Sequence, residues 1–423
     1  MTPMVPAVGG VREVPAPDPI ARDYILLGLR IEQHEPGYVD GYYGPADLKA
    51  IVETEQLRSP ARLREEAIAL RERLAAEVPD ADRRDWLDVQ LVAMEATAAE
   101  LAGDHRPYLE LVERCFAYRP ERRPDAVFRA AATRIDELLP GGGTTAERLA
   151  AWDETVIVPT ERILPVVEWL VDRFRTAAAS PFGLPAGEDL RIGLVNGQPW
   201  GAYNWFHGGR QSRIDINTDL PLRAPEIPRM VAHEAYPGHH LEHATKEAEL
   251  VDGAARLENS LLLMNAPECL LSEGLANLGF RFAVAPGDRV DLFAELYQRA
   301  GMPFAGDPAA ARAKAEMTVA LRGPRSILRS IDGNAAILRN ADGASHEAVV
   351  GYLVEVGGYA PARAQKRMEF LEHPLWRTYV FVYADGEAML ERWIEAVPEP
   401  ERAARFGRLL REQLTPAAVT TPG

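Results

Sequence analysis

Along most of the chain, apolar residues recur at three- and four-residue spacing, the pattern of helices buried on one face. This spacing predicts helices over roughly 21–35, 59–79, 81–103, 125–139 and 145–178. Helical patterning resumes at about 226 and continues through 255–282, 308–335, 345–356, 360–371 and 386–411. Local punctuation agrees: Ser59-Pro60 opens one helix, and Pro140-Gly141-Gly142-Gly143 closes another. Between 181 and 224 the texture changes to Gly, Pro, Asn and aromatic residues with short alternating runs. There Arg191-Ile192-Gly193-Leu194-Val195 and Ser212-Arg213-Ile214-Asp215-Ile216-Asn217 read as strands. The expected fold is mainly α, with a small β-sheet just before a histidine-bearing helix.

The chain divides accordingly. Residues 1–18, rich in Pro and Gly, read as a flexible lead-in. Residues 19–180 form a helical N-terminal region, and 181–423 hold the sheet, the histidine-rich segment and the C-terminal helices. The last two regions are expected to make one compact two-lobed unit. No repeat at a period of about 20–50 residues is evident.

Charge and cysteine usage narrow the chemistry. A formal net charge of −16 repels nucleic acid and anionic membrane, because a binder of either needs a positive surface. No stretch approaches the roughly 20 apolar residues needed to cross a bilayer. The N-terminus lacks a basic start followed by an apolar run, so a secretory signal is not expected and the chain reads as cytoplasmic. Cys115 and Cys269 are the only cysteines, so a metal would be held by His and carboxylate rather than thiolate.

Four of the nine histidines fall within His233–His243, in the string HEAYPGHHLEH. The apolar Met230-Val231-Ala232 before them, and Tyr236 and Leu241 within, argue against a solvated surface helix. Zinc peptidases of the commonest kind place His at i and i+4 of one helix, with the Glu after the first His as general base on metal-bound water. Here position i+4 from His233 is Pro237. On an ideal helix His233 and His239 would lie about 9 Å apart along the axis and roughly 240° apart around it. Sharing an ion therefore requires a deformed helix, and Pro237-Gly238 is suited to deform it. A second frame, His239-His240-Leu241-Glu242-His243, spells the inverted H-x-x-E-H motif on a regular helix. It leaves Glu234 and the Pro-Gly pair without a role. The favoured set is therefore His233 and His239 as ligands and Glu234 as base, with His240 the nearest substitute for His239 and His243 the mark of the rival frame.

Two histidines leave a tetrahedral site one protein ligand short if water is to keep a position. The natural donor is Glu273, which shares a helix face with Cys269, Ala276 and Phe280, since a carboxylate on an apolar stripe is costly unless paired or metal-bound. Gly274 beside it permits close approach of a neighbouring helix. Glu268, in the first turn after Pro267, is accounted for by the helix dipole.

The string HEAYPGHHLEH, with Ser272-Glu273-Gly274-Leu275-Ala276 and Val39-Asp40-Gly41-Tyr42-Tyr43-Gly44-Pro45, resembles the bacterial domain-of-unknown-function 885 family, which is grouped with gluzincin-type zinc metallopeptidases. The likeness runs in pieces over most of the chain and is strongest from about 196 to 282. It implies a large helical gluzincin-type fold, zinc held by His233, His239 and Glu273, Glu234 as base, and hydrolysis of peptide or amide bonds. The family's E-G-W-A string stands here as Glu273-Gly274-Leu275-Ala276, without the Trp. Its Gly-Leu-His string is not evident near Asp332-Gly333-Asn334-Ala335-Ala336. Both departures bear on substrate choice. The family pattern of a Tyr three residues before a Gly selects Tyr383 over Tyr379 as the hydroxyl that could stabilise an oxyanion. Gly208-Gly209 and the strand after it resemble the edge strand that pairs with an extended substrate in related peptidases, or else an ordinary hairpin.

The function expected from these observations is zinc-dependent hydrolysis of a peptide or small amide, with Glu234 taking a proton from water and returning it to the leaving amine. A hydrolase of a non-peptide amide metabolite and a non-catalytic metal-binding scaffold are the alternatives.

Overall fold

The computed structural model describes residues 17–198 and 200–420, and the chain is mainly helical. The expected lead-in over 1–18 lies outside these residues except for its last two, where Asp18 caps the first helix by accepting from the Ala21 amide. In chain order come α1 (Pro19–Glu32), β1 (Val39–Tyr42), α2 (Ala46–Thr54), α3 (Pro60–Glu77), α4 (Ala81–Leu101), α5 (Tyr108–Phe116), α6 (Asp125–Leu138), α7 (Thr145–Glu154) and α8 (Thr160–Phe182). Next are β2 (Asp189–Val195), β3 (Ala202–Phe206), β4 (Gln211–Asn217), α9 (Ile227–Glu234), α10 (His239–Lys246), β5 (Leu261–Leu263) and α11 (Pro267–Ala283). The C-terminal part holds α12 (Arg289–Arg299), α13 (Pro308–Arg329), α14 (Ile331–Asn340), α15 (His346–Glu355), α16 (Pro361–Glu372), α17 (Trp376–Tyr379), α18 (Phe381–Glu395) and α19 (Glu399–Arg411).

Several long periodic stretches divide where the backbone cannot continue. The expected helix over 145–178 is two, because Pro159 starts α8 and the residue before a proline is pushed out of the helical region. The stretch 255–282 contains β5, which pairs antiparallel with β1, before α11 begins at Pro267. The run 308–335 breaks at Ser330 into α13 and α14. Short apolar triplets such as Leu261-Leu262-Leu263 fit either period, so only the partner strand decides.

The sheet has the order β2-β4-β3, with β2 parallel and β3 antiparallel to β4. The expectation of a substrate-pairing edge at 212–217 is corrected here: β4 is the central strand and both its edges are used. Alternation reveals that one face is buried, but not whether a strand lies at an edge. Gly208 and Gly209, both at positive φ, form the β3–β4 hairpin turn, and the Glu247 carboxylate accepts from the Gly209 amide at 2.8 Å and the Arg210 amide at 2.5 Å. The edge strands are β2 and β3.

Two large apolar cores hold the described residues together, beside a small third one of Ile135, Leu139, Trp152 and Leu321. One joins α1, α3 and α4 to Phe206, Ala244, Leu257 and Leu261. The larger joins α8 to α9, α11 and the C-terminal helices. The segment from 227 to 280 feeds both: α10 buries Leu241 in the larger core and Ala244 in the other. Its polar face is thus held at the seam between them.

Candidate metal centre

The helix bearing the histidines breaks where Pro237 falls. Pro237 has no N–H to give the His233 carbonyl, so α9 ends at Glu234 and α10 restarts at His239. A Cβ at position 238 would overlap the carbonyl oxygens of Ala232 and His233, so the turn requires glycine there. Below it, α11 packs closely on α18, where a Cβ on Gly274 would stand 2.6 Å from the Gly386 carbonyl carbon. That contact holds Glu273, one residue earlier, under the broken turn.

The break brings the two histidines together. The rings of His233 and His239 lie 4.6 Å apart between centroids and nearly perpendicular, at 86°. Glu273 spans both: its Oε2 is 3.4 Å from His233 Nε2 and its Oε1 is 3.7 Å from His239 Nε2. Tyr379 donates to the same Oε1 at 2.7 Å. Oε2 is buried with no hydrogen-bond partner. A buried carboxylate oxygen left unsatisfied is costly, and such an atom beside one imidazole nitrogen, on a carboxylate whose other oxygen lies near a second, marks a place for a cation. Glu234 Oε1 stands 4.0 Å from His233 Nε2, and ligand atoms of His233, Glu234 and His239 lie within 4.8 Å of one another.

The partners of His239 fix its tautomer. Ser272 donates its hydroxyl proton to Glu242 Oε2 at 2.5 Å, so at 3.3 Å it can only accept from His239 Nδ1. The Nδ1 proton therefore points back into the protein and the Nε2 lone pair faces the site, the usual orientation of a metal-ligating histidine.

His239, Glu242 and His243 also place ligand atoms within 4.8 Å of one another, which is the inverted frame. Ring geometry separates the two. The His239 and His243 rings are stacked and parallel to within 4°, so lone pairs in their separate planes do not converge on one point. Glu242, moreover, is already engaged by Ser272 and by Lys246 at 2.8 Å, and Lys246 also reaches Glu268 at 2.9 Å. His240 is removed from consideration by its own contacts: it is fully buried, its Nδ1 lies 2.8 Å from Ser212 Oγ and its Nε2 2.9 Å from Glu188 Oε2. Both ring nitrogens are taken.

The electrostatics divide along the same lines. Burial lifts the Glu234 carboxyl to about 7, the charge of Glu273 adding to the effect and His239 opposing it. Burial alone would raise Glu273, but His239 and His233 hold it down at about 2. Burial, with His239 alongside, pushes His233 down to about 3, which keeps its lone pair available. Burial would also disfavour a charge on His239, yet its bonds to Glu242 and Glu273 outweigh this and raise its pKa.

These groups open on a cavity of about 320 Å³, which Tyr379, Tyr383, His243 and Cys269 also line. Tyr383 stands edge-on to Tyr379, with ring centroids 5.4 Å apart. The opposite wall was not foreseen from sequence. It is built by Asp40 of β1 and by Ala202, Tyr203 and Asn204 of the edge strand β3. Asn204 donates to the Glu234 carbonyl at 2.6 Å, and Tyr203 donates to the Asp40 carboxylate. The aromatic texture of 198–206 signalled something unusual, but nothing in it specified which side chains face the histidines.

No protein-family profile matches this chain, and no curated protein sequence does. Among solved structures it is similar to "the putative lipoprotein from Colwellia psychrerythraea", at 15% identity and a TM-score of 0.49. The match covers 85% of this chain, which spans only 65% of the other's length.

Proposed function

We propose that this protein is a zinc-dependent hydrolase of peptide or amide bonds, related to the gluzincin-type family that its histidine string resembles. The observation that carries the reading is the buried Glu273 carboxylate, with its orphaned Oε2, set against two imidazoles whose ring centroids lie 4.6 Å apart. The donor set of two histidines and one carboxylate suits a catalytic zinc, and His233, His239 and Glu273 would hold it. Bound there, the metal would supply Lewis acidity towards a carbonyl and a water molecule.

The remaining chemistry belongs to the chain. Glu234 borders the same cavity without being needed as a ligand, so it is free to take a proton from the attacking water and pass it to the departing nitrogen. A structural site has no use for such a base, which counts against a purely scaffolding role. Tyr379 is committed to Glu273 and positions it, which leaves Tyr383 as the hydroxyl for a developing oxyanion. The free edge of β3 beside the cavity can pair with an extended substrate backbone.

Metal analysis of the purified protein, with and without chelation, tests the reading alongside turnover of a mixed peptide set. Near-stoichiometric zinc is expected, with Glu234→Gln protein retaining it but losing turnover. Protein that neither binds zinc nor gains thermal stability from it would sink the proposal.

A further inference from the structure

A second cavity, of about 790 Å³, adjoins the first, and Ala202, His233 and Glu234 line both. Whatever enters one is therefore in reach of the other. Its size is typical of small-molecule sites. Seven arginines line it, in a chain whose net charge is −16.

The arginines fall into two groups. Arg223 pairs with Asp153 at 3.4 Å, Arg229 with Glu387 at 3.1 Å, Arg281 with Glu391 at 2.9 Å and Arg325 with Asp153 at 2.7 Å. Arg289, Arg322 and Arg329, by contrast, form no ion pair among the described residues. The Arg322 guanidinium lies 3.9 Å from the Phe280 ring centroid, and its Nη1 is buried without a hydrogen-bond partner. Arg289 approaches the same ring at 5.6 Å, and its Nε is likewise unpartnered. Stacking on an aromatic face fixes the plane of a guanidinium and leaves its edge to recognise an anion. Burial and the neighbouring Arg289 and Arg229 push the Arg322 pKa down to about 9, so it stays charged at neutral pH while its neighbours repel it. Glu226, Glu387 and Glu391 also line the cavity, but their ion pairs are with Arg223, Arg229 and Arg281, and a ligand's negative group would satisfy the guanidinium edges that remain.

We infer that this cavity is the anion-binding subsite of the same enzyme: its substrate carries a carboxylate that Arg322, with Arg289 and Arg329, receives while the scissile amide lies at His233 and Glu234. The inference rests on the amide-hydrolase reading for the second half of that statement. The carboxylate can be the terminal one of a peptide or an acidic side chain, and matched probes separate the two.

The test uses full-length Glu234→Gln protein loaded with zinc and calorimetric titration with two probe pairs. The first pair is N-benzoyl-glycyl-glycine and its C-terminal amide. The second is N-benzoyl-glycyl-glutamate α-amide and its glutamine counterpart. In at least one pair the acid should bind roughly tenfold or more tightly than its neutral partner, the range expected of a charge-assisted bond. The pair that shows the preference identifies which carboxylate is read. Arg322→Gln should erase the preference and leave the neutral probe unaffected. Arg329→Gln, at a more exposed position that tolerates substitution, should weaken it. Inorganic phosphate is titrated in parallel into chelated protein, with and without Arg322→Gln. Phosphate affinity that depends on Arg322 in protein unable to bind zinc would leave the basic cavity standing and sink only the metal reading. Acid and neutral probes binding alike, together with phosphate binding the Arg322→Gln protein as well as its parent, would overturn the inference.

Discussion

His239 and His240 are neighbours in sequence at the start of one helix, yet they belong to opposite kinds of environment. His240 faces the β2–β4 strands, where Ser212 and Glu188 take both its nitrogens and Glu188 also accepts from Tyr236 and Arg175. Every strong group in that cluster has a partner. His239 faces the cleft, where Glu273 keeps an unsatisfied oxygen and the His233 ring centroid lies 4.6 Å away. His240 is fully enclosed and His239 partly buried, and charge is plentiful on both sides. What separates a structural cluster from a candidate site is bonding capacity left over after folding.

The sharpest way to break this contrast is to remove one group from each side. His233→Ala, His239→Ala and Glu273→Ala should each lower zinc affinity by more than about a hundredfold, beyond what loss of an outer partner costs. His240→Ala should retain the metal. Loss of zinc in His243→Ala with retention in His233→Ala, measured by competitive chelation, would establish the inverted frame instead.

Next in size is the turn that joins the two sides. Helix propensity taken alone favours Ala over Gly by about 1 kcal/mol and over Pro by about 3. By that measure Pro237-Gly238→Ala-Ala should be neutral or stabilising. The packing opposes it, because a Cβ at 238 would overlap the carbonyls of Ala232 and His233. Denaturant unfolding should therefore show a loss of stability together with a steep fall in zinc affinity. Wild-type affinity in this variant would mean that His233 and His239 do not share the ion.

On the structural side, His240→Ala leaves Glu188 and Ser212 short of a buried partner and should cost about 2–3 kcal/mol in urea unfolding. A loss within experimental error would show that the cluster is not the saturated structural unit described above.

The smallest effect is one of pH. Burial would raise Glu188, but bonds from His240, Tyr236 and Arg175 depress it to about 2. Its unfolded value is about 4.3. A depressed carboxylate contributes stability that is present above its unfolded pKa and is lost as pH falls through the folded one. Wild-type stability should therefore decline between about pH 4.3 and 2. Glu188→Gln protein, less stable at neutral pH, should show a shallower decline there. Parallel acid limbs in the two proteins would remove Glu188 from the account.

Much of this could be read from the chain. The mainly helical texture followed from three- and four-residue spacing, and the break at Pro237-Gly238 followed from a residue that lacks an amide proton next to one that lacks a Cβ. Glu273 stood out because a carboxylate on an apolar stripe needs a partner. These are local properties: they depend on a residue and its near neighbours, which the sequence lists in order.

The remainder was settled by contacts between segments far apart in the chain. That β4 is central and β2 and β3 are the edges depends on which strands dock beside it. His240 is excluded as a ligand by Glu188 and Ser212, and Nδ1 of His239 is turned inward by Ser272. Asp40 and Tyr203 join the cavity from two different strands, and the unpaired arginines gather from helices whose individual charges look like ordinary solvated faces. Sequence alone determined which residue types were present and how the backbone must turn around them. Only the tertiary structure decided which polar groups found partners, because a partner can come from anywhere in the chain.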